Sequence, residues 1–210
     1  MFQVDVHQHN LLISIHTMAT VSQFDLDISP LIRNHIDQFI IGNQLKLSEL
    51  SGNLLELGPQ TRSLAREKFT NYKYHSFDIV DTYNPDFVGD ITKYNPTIPD
   101  HFFDCVLCMD VLEHVLNPFD AISELRRILK DGGYLLLSSP LNLRIHGPIP
   151  DCWRFTEHGY KSLLRDFDIL EIDILETPGR DLFPLHYNVL AKNNLKKESK
   201  DTDLSFRFIN

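Results

Sequence analysis

Hydrophobic residues recur along this chain with two spacings, which alternate from about residue 30 onward. Leu31, Ile32, His35, Ile36, Phe39 and Ile40 lie three or four apart, the spacing of one helix face. Ser29 and Pro30 stand just before them, a capping serine and a first-turn proline, so a helix is expected to open there. Residues 53–57 form a short apolar run that stops at Gly58-Pro59, as a buried strand entering a sharp turn would. A helix over about 61–69 follows, then a strand over 72–77 closed by Asp78, and a short one at Phe87-Val88 closed by Gly89-Asp90. Residues 102–109 are almost continuously apolar, as where both faces of a sheet are covered. Asn117-Pro118 opens a helix carrying Phe119, Ile122, Leu125, Ile128 and Leu129; Asp131-Gly132-Gly133 stops it, and residues 134–138 form the next strand. Thr156 caps a helix reaching Leu164, and residues 169–175 and 187–191 read as an antiparallel pair. This alternation predicts an α/β, doubly wound, Rossmann-like fold: a mainly parallel seven-stranded sheet, an antiparallel C-terminal strand, and helices on both faces.

A length of 210 residues suits one domain. The pattern assigns it to residues 29–192, with an N-terminal arm or lid over 1–28 and a tail over 193–210. The sequence has no apolar run near the ~20 residues of a membrane span. Its first residues, MFQVDVHQHN, lack the basic and apolar character of a secretory signal. A cytoplasmic protein is therefore expected, without a membrane partner. The formal net charge of −9 argues against a nucleic-acid partner, because such binding relies on Lys and Arg neutralising phosphates. The cluster Lys192, Lys196, Lys197 and Lys200 reads as a solvated tail. Cys105 and Cys108 imitate a CxxC, but three residues apart on a strand their side chains point to opposite faces. His7, His9 and His16 match no common metal-site spacing and read as part of the arm.

What closes each strand changes the picture more than composition does. Glu56-Leu57-Gly58-Pro59, Asp78, Asp90 and Met109-Asp110 all fall on one edge of a parallel sheet. Ligands of such sheets bind at the carboxyl ends of the strands, near the point where strand order reverses. A glycine there lets a ligand approach the backbone closely. An acid after the second strand can accept both hydroxyls of a ribose, and one after the third can accept from an exocyclic amine. Together they suit a nucleoside joined to a charged amino-acid tail.

Leu54–Gln60 (LLELGPQ), Phe77-Asp78, Val88-Gly89-Asp90-Ile91 and the block FDCVLCMDVLEHVLNPFDAISELRRILKDGGYLLLSSP resemble the class I S-adenosylmethionine-dependent methyltransferases. The resemblance spans roughly residues 50–192. It implies S-adenosyl-L-methionine as cofactor and transfer of its methyl group to an acceptor. It further implies that Glu56 and Gly58 line the methionine end and Asp78 binds the ribose. Asp90 and Ile91 would border the adenine, and Met109 and Asp110 would flank the sulfonium, with Leu57, Pro59, Ile79 and Val111 beside them. The family pattern ExGxGxG is incomplete here, since Gln60 takes the second glycine's place and Arg62 the third's. That departure keeps open a non-catalytic binding or partner subunit of the same fold. A dinucleotide-dependent dehydrogenase is poorly supported, because its phosphate turn needs three glycines and only Gly58 is present.

Methyl transfer to an oxygen or nitrogen often needs a base, and histidine titrates near neutrality. His114, in LEHV, and His146 are the catalytic candidates. The segment 141–156 (LNLRIHGPIPDCWRFT) should overhang the acceptor site, with Arg144, His146, Asp151, Trp153 and Arg154 as substrate-binding candidates. Similar stretches occur in superfamily members that act on small molecules, so a small-molecule acceptor is expected; a protein acceptor is the further alternative. Asp110, Glu113 and His114 also resemble a metal-binding trio of ubiquinone-pathway O-methyltransferases, but no metal is assigned because the cofactor claims Asp110. Both a monomer and a homodimer are compatible with the sequence.

Overall fold

The structure, a computed structural model, describes residues 20–59 and 63–197. The expected arm up to residue 19, with His7, His9 and His16, lies outside the described residues, as do Gln60, Arg62 and Lys200.

Helix α1 (Gln23–Lys46) begins earlier than Ser29. Ser22 is its cap: the serine hydroxyl accepts from the Asp25 N–H at 3.2 Å, and the Asp25 carboxylate accepts from the Ser22 N–H at 3.2 Å. This reciprocal box satisfies the Ser22 and Asp25 N–H groups, donors that a helix start otherwise leaves without partners. Pro30 lies inside the helix, and the extra turns bury Ile28. A capped end upstream thus outweighed the local signal of Ser29-Pro30.

Strand β1 (Gly52–Leu57) and the short helix α2 (Leu64–Lys68, capped by Ser63) follow, then β2 (Tyr72–Asp78), β3 (Phe87–Val88) and β4 (Phe103–Met109). Helix α3 (Pro118–Ile128) is capped by Asn117 and runs directly into β5 (Leu129–Pro140). Helix α4 (Glu157–Leu163), capped by Thr156, leads to β6 (Phe167–Thr177) and β7 (Arg180–Asn193). The sheet order is β3-β2-β1-β4-β5-β7-β6, and β7 runs antiparallel to both neighbours. Strand β5 is longer than its apolar run suggests. Leu129 pairs with Phe103 and Tyr134 with Cys105, so Asp131-Gly132-Gly133 bulges within the strand, with Gly132 at φ 76°.

Alternation along the strands builds two cores. Leu55, Leu57, Val106, Cys108, Leu135 and Leu137 face α3 and α4, whereas Leu54, Cys105, Leu107 and Leu136 face α1 and α2. Cys105 and Cys108 therefore lie on opposite sheet faces, as their spacing requires. On α3, Ala121, Ile122, Leu125 and Ile128 are buried, while Phe119 is half exposed and Glu124 takes an inner position.

Glu124 is inside because Arg127 meets it there. The guanidinium donates to both Glu124 oxygens at 2.8 and 2.6 Å and to the Ile98 carbonyl at 2.9 Å, and Glu124 also accepts from the Asn95 N–H at 3.0 Å. This clamp fixes the segment that follows β3 and carries Asp90. Arg127→Ala leaves a nearly buried carboxylate short of its partner. The expected loss is on the order of 2 kcal/mol in urea unfolding, less than for a fully buried pair because the Asp100 end is exposed.

Candidate active site

Chain order leaves β1 for β2 and β3 on one side and returns to β4 and β5 on the other, so strand order reverses between β1 and β4. A cavity of about 500 Å³ opens there. Its lining includes Glu56, Leu57, Gly58 and Pro59 from the end of β1 and Met109 and Asp110 from the end of β4. His114, Leu143, His146, Gly147 and Pro148 line it further out. The volume lies within the ~300–1,000 Å³ common for small-molecule sites.

Gly58 has φ +62°, a left-handed conformation that favours glycine, and its N–H donates to the Phe77 carbonyl at 2.8 Å. That bond draws the end of β2, and with it Asp78, against the β1 turn. The Glu56 carboxylate is buried and accepts from the Ser63 hydroxyl and, at 2.7 Å, from the Tyr74 hydroxyl. Burial raises its pKa, opposed by those two hydrogen bonds and by Arg66.

Asp78 is nearly buried and accepts from the Val80 N–H at 3.1 Å. The Asp90 carboxylate accepts from the Thr92 N–H and hydroxyl at 3.0 and 2.7 Å and pairs with Lys93 at 3.0 Å. Burial alone would raise Asp90, but these partners hold it below the usual carboxylate range. Ile91 is buried in the core, whereas Ile79 is 68% exposed. Asp78, Ile79, Asp90, Ile91 and Val111 do not line the cavity; Asp78 and Asp90 end β2 and precede the clamped segment beside it.

Asp110 has φ +52°. Its N–H donates to Ser138, and its carboxylate accepts from the Ser138 hydroxyl at 2.7 Å and from His186 Nε2 at 2.9 Å. Burial would raise Asp110, but His186 and Ser138 overcome this and lower it. His186 is fully buried, with His35 of α1 behind it (Nδ1 to Nδ1, 3.3 Å) and Asp173 2.8 Å from His35 Nε2. None of these partners stood out in the sequence, because His186 lies in a run that reads as strand and His35 on a helix face that reads as core. A depressed folded-state pKa means Asp110 contributes stability above the ordinary carboxylate range, lost as pH falls through its folded value. Asp110→Asn should therefore lower the melting temperature near neutrality, by an amount equivalent to about 2 kcal/mol, and the difference should shrink as pH falls below the ordinary carboxylate range.

Beyond Asp110 a 3-10 turn, Leu112–His114, presents Glu113 and His114. Glu113 is 0% exposed, and burial, reinforced by the charge of Asp110, pushes its carboxyl up to about 9. The Glu113 carbonyl accepts from the Cys152 and Trp153 N–H groups at 2.7 and 3.3 Å, which ties the 141–156 segment over this end. His114 Nδ1 lies 2.9 Å from the Pro150 carbonyl. His146 Nδ1 lies 3.2 Å from Asp151 and 3.3 Å from the Arg144 carbonyl. All three partners are acceptors, so Nδ1 is the donor of each ring and Nε2 is the nitrogen left without such a partner. The two imidazoles stand 4.9 Å apart, edge to face.

Of the candidates in this segment, His146 alone lines the cavity. Arg154 pairs with Asp151, and burial, which would raise that acid, is outweighed so that it falls to about 2. Trp153 donates to the Val115 carbonyl at 2.9 Å and stacks on Phe155, anchoring the loop. Arg144 approaches Asp25 at 4.0 Å. The sequence reading missed one wall of the cavity: Ser29, Arg33 and Asp37, four residues apart on α1, line it beside Ile32, Ile36 and Ile40. Four-residue spacing of polar positions on an otherwise apolar helix face was the available signal.

The model of a methyltransferase domain matches residues 32–173. The chain belongs to this family of methyltransferase domains. It is an S-adenosylmethionine-dependent enzyme of the Rossmann-like class I fold, and the cavity at the strand ends fits that cofactor: the buried acid Glu56 and the Gly58 turn at one end, the His114 and His146 rings at the other. No curated protein matches the chain. Among solved structures, a methyltransferase from Methanosarcina mazei described as SAM-dependent superposes with TM-score 0.54 at 18% identity, covering 70% of this chain and 94% of the other. The N-methyltransferase NodS from Bradyrhizobium japonicum WM9 gives 0.56 at 16% identity, with 80% and 99% covered. The [4+2]-cyclase SpnF gives 0.56 at 17%, with 75% and 80% covered. At these identities the likeness is one of fold. Among the described residues no helix is long and apolar enough to cross a membrane.

Proposed function

We propose that this methyltransferase acts on an oxygen or nitrogen atom of a small-molecule acceptor, with residues 29–192 as the catalytic domain and the 141–156 segment over the acceptor. The observation that carries this reading is the single cavity that runs from Glu56 and Gly58 past Asp110 to His114 and His146. When bound, the cofactor supplies an electrophilic methyl group on a sulfonium. Glu56 receives the ammonium of the methionine end, beside the open turn at Gly58, Leu57 and Pro59. Asp78 accepts the ribose hydroxyls next to Ile79, Asp90 and Ile91 border the base, and Met109, Asp110 and Val111 flank the methyl site. His114 and His146 present their Nε2 atoms to the acceptor and take its proton or hold its hydroxyl or amine in line with the methyl group. Arg144, Asp151, Trp153 and Arg154 act by shaping the segment that carries His146. The cavity, about 500 Å³ and lined in part by His146, Gly147 and Pro148 of the overhanging segment, favours a small molecule over a folded protein, and the acidic chain disfavours nucleic acid.

The test is transfer of labelled methyl from S-adenosylmethionine into a fractionated cell extract. Label is expected in the low-mass fraction and should fall at least roughly tenfold for His114→Ala, the scale of losing a general base. Label confined to protein would overturn the small-molecule reading.

A further inference from the structure

Glu113 has a fully buried carboxyl group, and neither of its oxygens is hydrogen-bonded by any other residue. Buried polar atoms are satisfied almost without exception, so such a pair calls for an explanation, an ion among them. His114 Nε2 and His146 Nε2 each lie 3.8 Å from Glu113 Oε1. That is too long for a hydrogen bond. The three side chains form the one group among the described residues whose His, Cys, Asp or Glu ligand atoms converge in this way, all within 4.8 Å of one another.

We infer that Glu113, His114 and His146 bind a divalent first-row transition ion of the zinc type, with its open coordination position facing the cavity. Donors about 2.1 Å from a shared tetrahedral ion lie about 3.4 Å apart, so the two 3.8 Å pairs need to close by a few tenths of an ångström, and the pair of imidazole nitrogens, within 4.8 Å, closes by rotation of the rings. Two imidazoles and one carboxylate favour zinc, cobalt or iron over magnesium, which prefers oxygen. Both rings already have the outer partners that metal-bound histidines use: the Pro150 carbonyl holds His114, and Asp151, itself locked by Arg154, holds His146. Three protein ligands plus a vacancy is the composition of catalytic rather than structural sites. The ligand set differs from the sequence-based trio: Asp110 is bound by Ser138 and His186, and His146 arrives from the overhanging segment instead.

The ion's role rests on the methyl-transfer reading; its binding does not. At the vacant position an acceptor hydroxyl would be coordinated and would release its proton to solvent water more readily, leaving the coordinated oxygen as the nucleophile that takes the methyl group from the sulfonium. The two histidines would then serve by holding the ion.

Cobalt(II) titration of the metal-free chain tests this, read by visible d–d absorption, with calorimetry of S-adenosylhomocysteine alongside. One equivalent per chain should give an intense tetrahedral-type spectrum. His146→Ala and Glu113→Gln should each weaken cobalt binding by more than roughly a hundredfold, beyond what losing an outer partner costs. His158→Ala, on the exposed face of α4, should leave it unchanged. Should Glu113→Gln fail to fold, His146→Ala decides, since that side chain sits on the overhanging segment. Absence of the spectrum, or its survival in His146→Ala, overturns the site. If S-adenosylhomocysteine still binds in that case, the ion is refuted and methyl transfer stands; a cobalt spectrum without S-adenosylhomocysteine binding upholds the ion and refutes its role.

Discussion

Asp78→Ala is expected to weaken S-adenosylhomocysteine binding at least a hundredfold, measured by isothermal titration. Two hydrogen bonds from ribose hydroxyls to a carboxylate are worth about 1.5–3 kcal/mol each, and every 1.4 kcal/mol is tenfold. The carboxylate is preset for this: it is nearly buried at the end of β2, oriented by the Val80 N–H, and drawn to the β1 turn by the bond between Gly58 and Phe77. Asp78→Asn retains one accepting oxygen and should fall between the two. A loss below about threefold for alanine would remove Asp78 from the ribose site.

Phe103→Ala is expected to cost about 3–5 kcal/mol, the largest stability loss among the single changes considered, read as a shifted urea midpoint. The ring is 0% exposed at the start of β4 and meets Phe102, His75 and Phe87 edge-on at 5.0, 5.7 and 6.2 Å between centroids. A cavity there cannot collapse, because β1 and β5 hold β4 on both sides. Phe103→Leu keeps most of the volume and should cost less than half as much. Equal losses for the two would mean that shape rather than volume governs this corner.

Both predictions concern residues that period and strand-end chemistry had already marked. Continuous apolar runs at 53–57 and 102–109 become β1 and β4 because both sheet faces are covered, and acids then fall on the carboxyl edge. Caps written in the sequence also hold locally: Asn117 and Thr156 each accept a backbone N–H at a helix start. Where local signals compete, the reading fails. Ser29-Pro30 looked like a helix start, but the Ser22–Asp25 box lies upstream and burial of Ile28 extends the helix.

Site residues set by long-range contacts were less legible. Asp110's partner His186 is 76 positions away, and His146 reaches Glu113 only because the 141–156 segment is tied to the Glu113 carbonyl. No spacing rule encodes a contact made by two separate loops. The same holds for α1, whose Arg33 and Asp37 reach the cavity because the helix packs across the strand ends. Five candidates predicted by resemblance, Asp78, Ile79, Asp90, Ile91 and Val111, sit outside the cavity lining. Asp78 and Ile79 lie at and just past the end of β2, and Asp90 and Ile91 in the segment after β3, where a nucleoside extending from the cavity would lie.

Diffraction from crystals grown with S-adenosylhomocysteine tests the central claim most directly. The account predicts the amino-acid tail against Glu56 and Gly58, both ribose hydroxyls within hydrogen-bond reach of Asp78, and the sulfur directed toward His114 and His146. A ligand bound elsewhere, or one whose ribose lies beyond reach of Asp78, would contradict it.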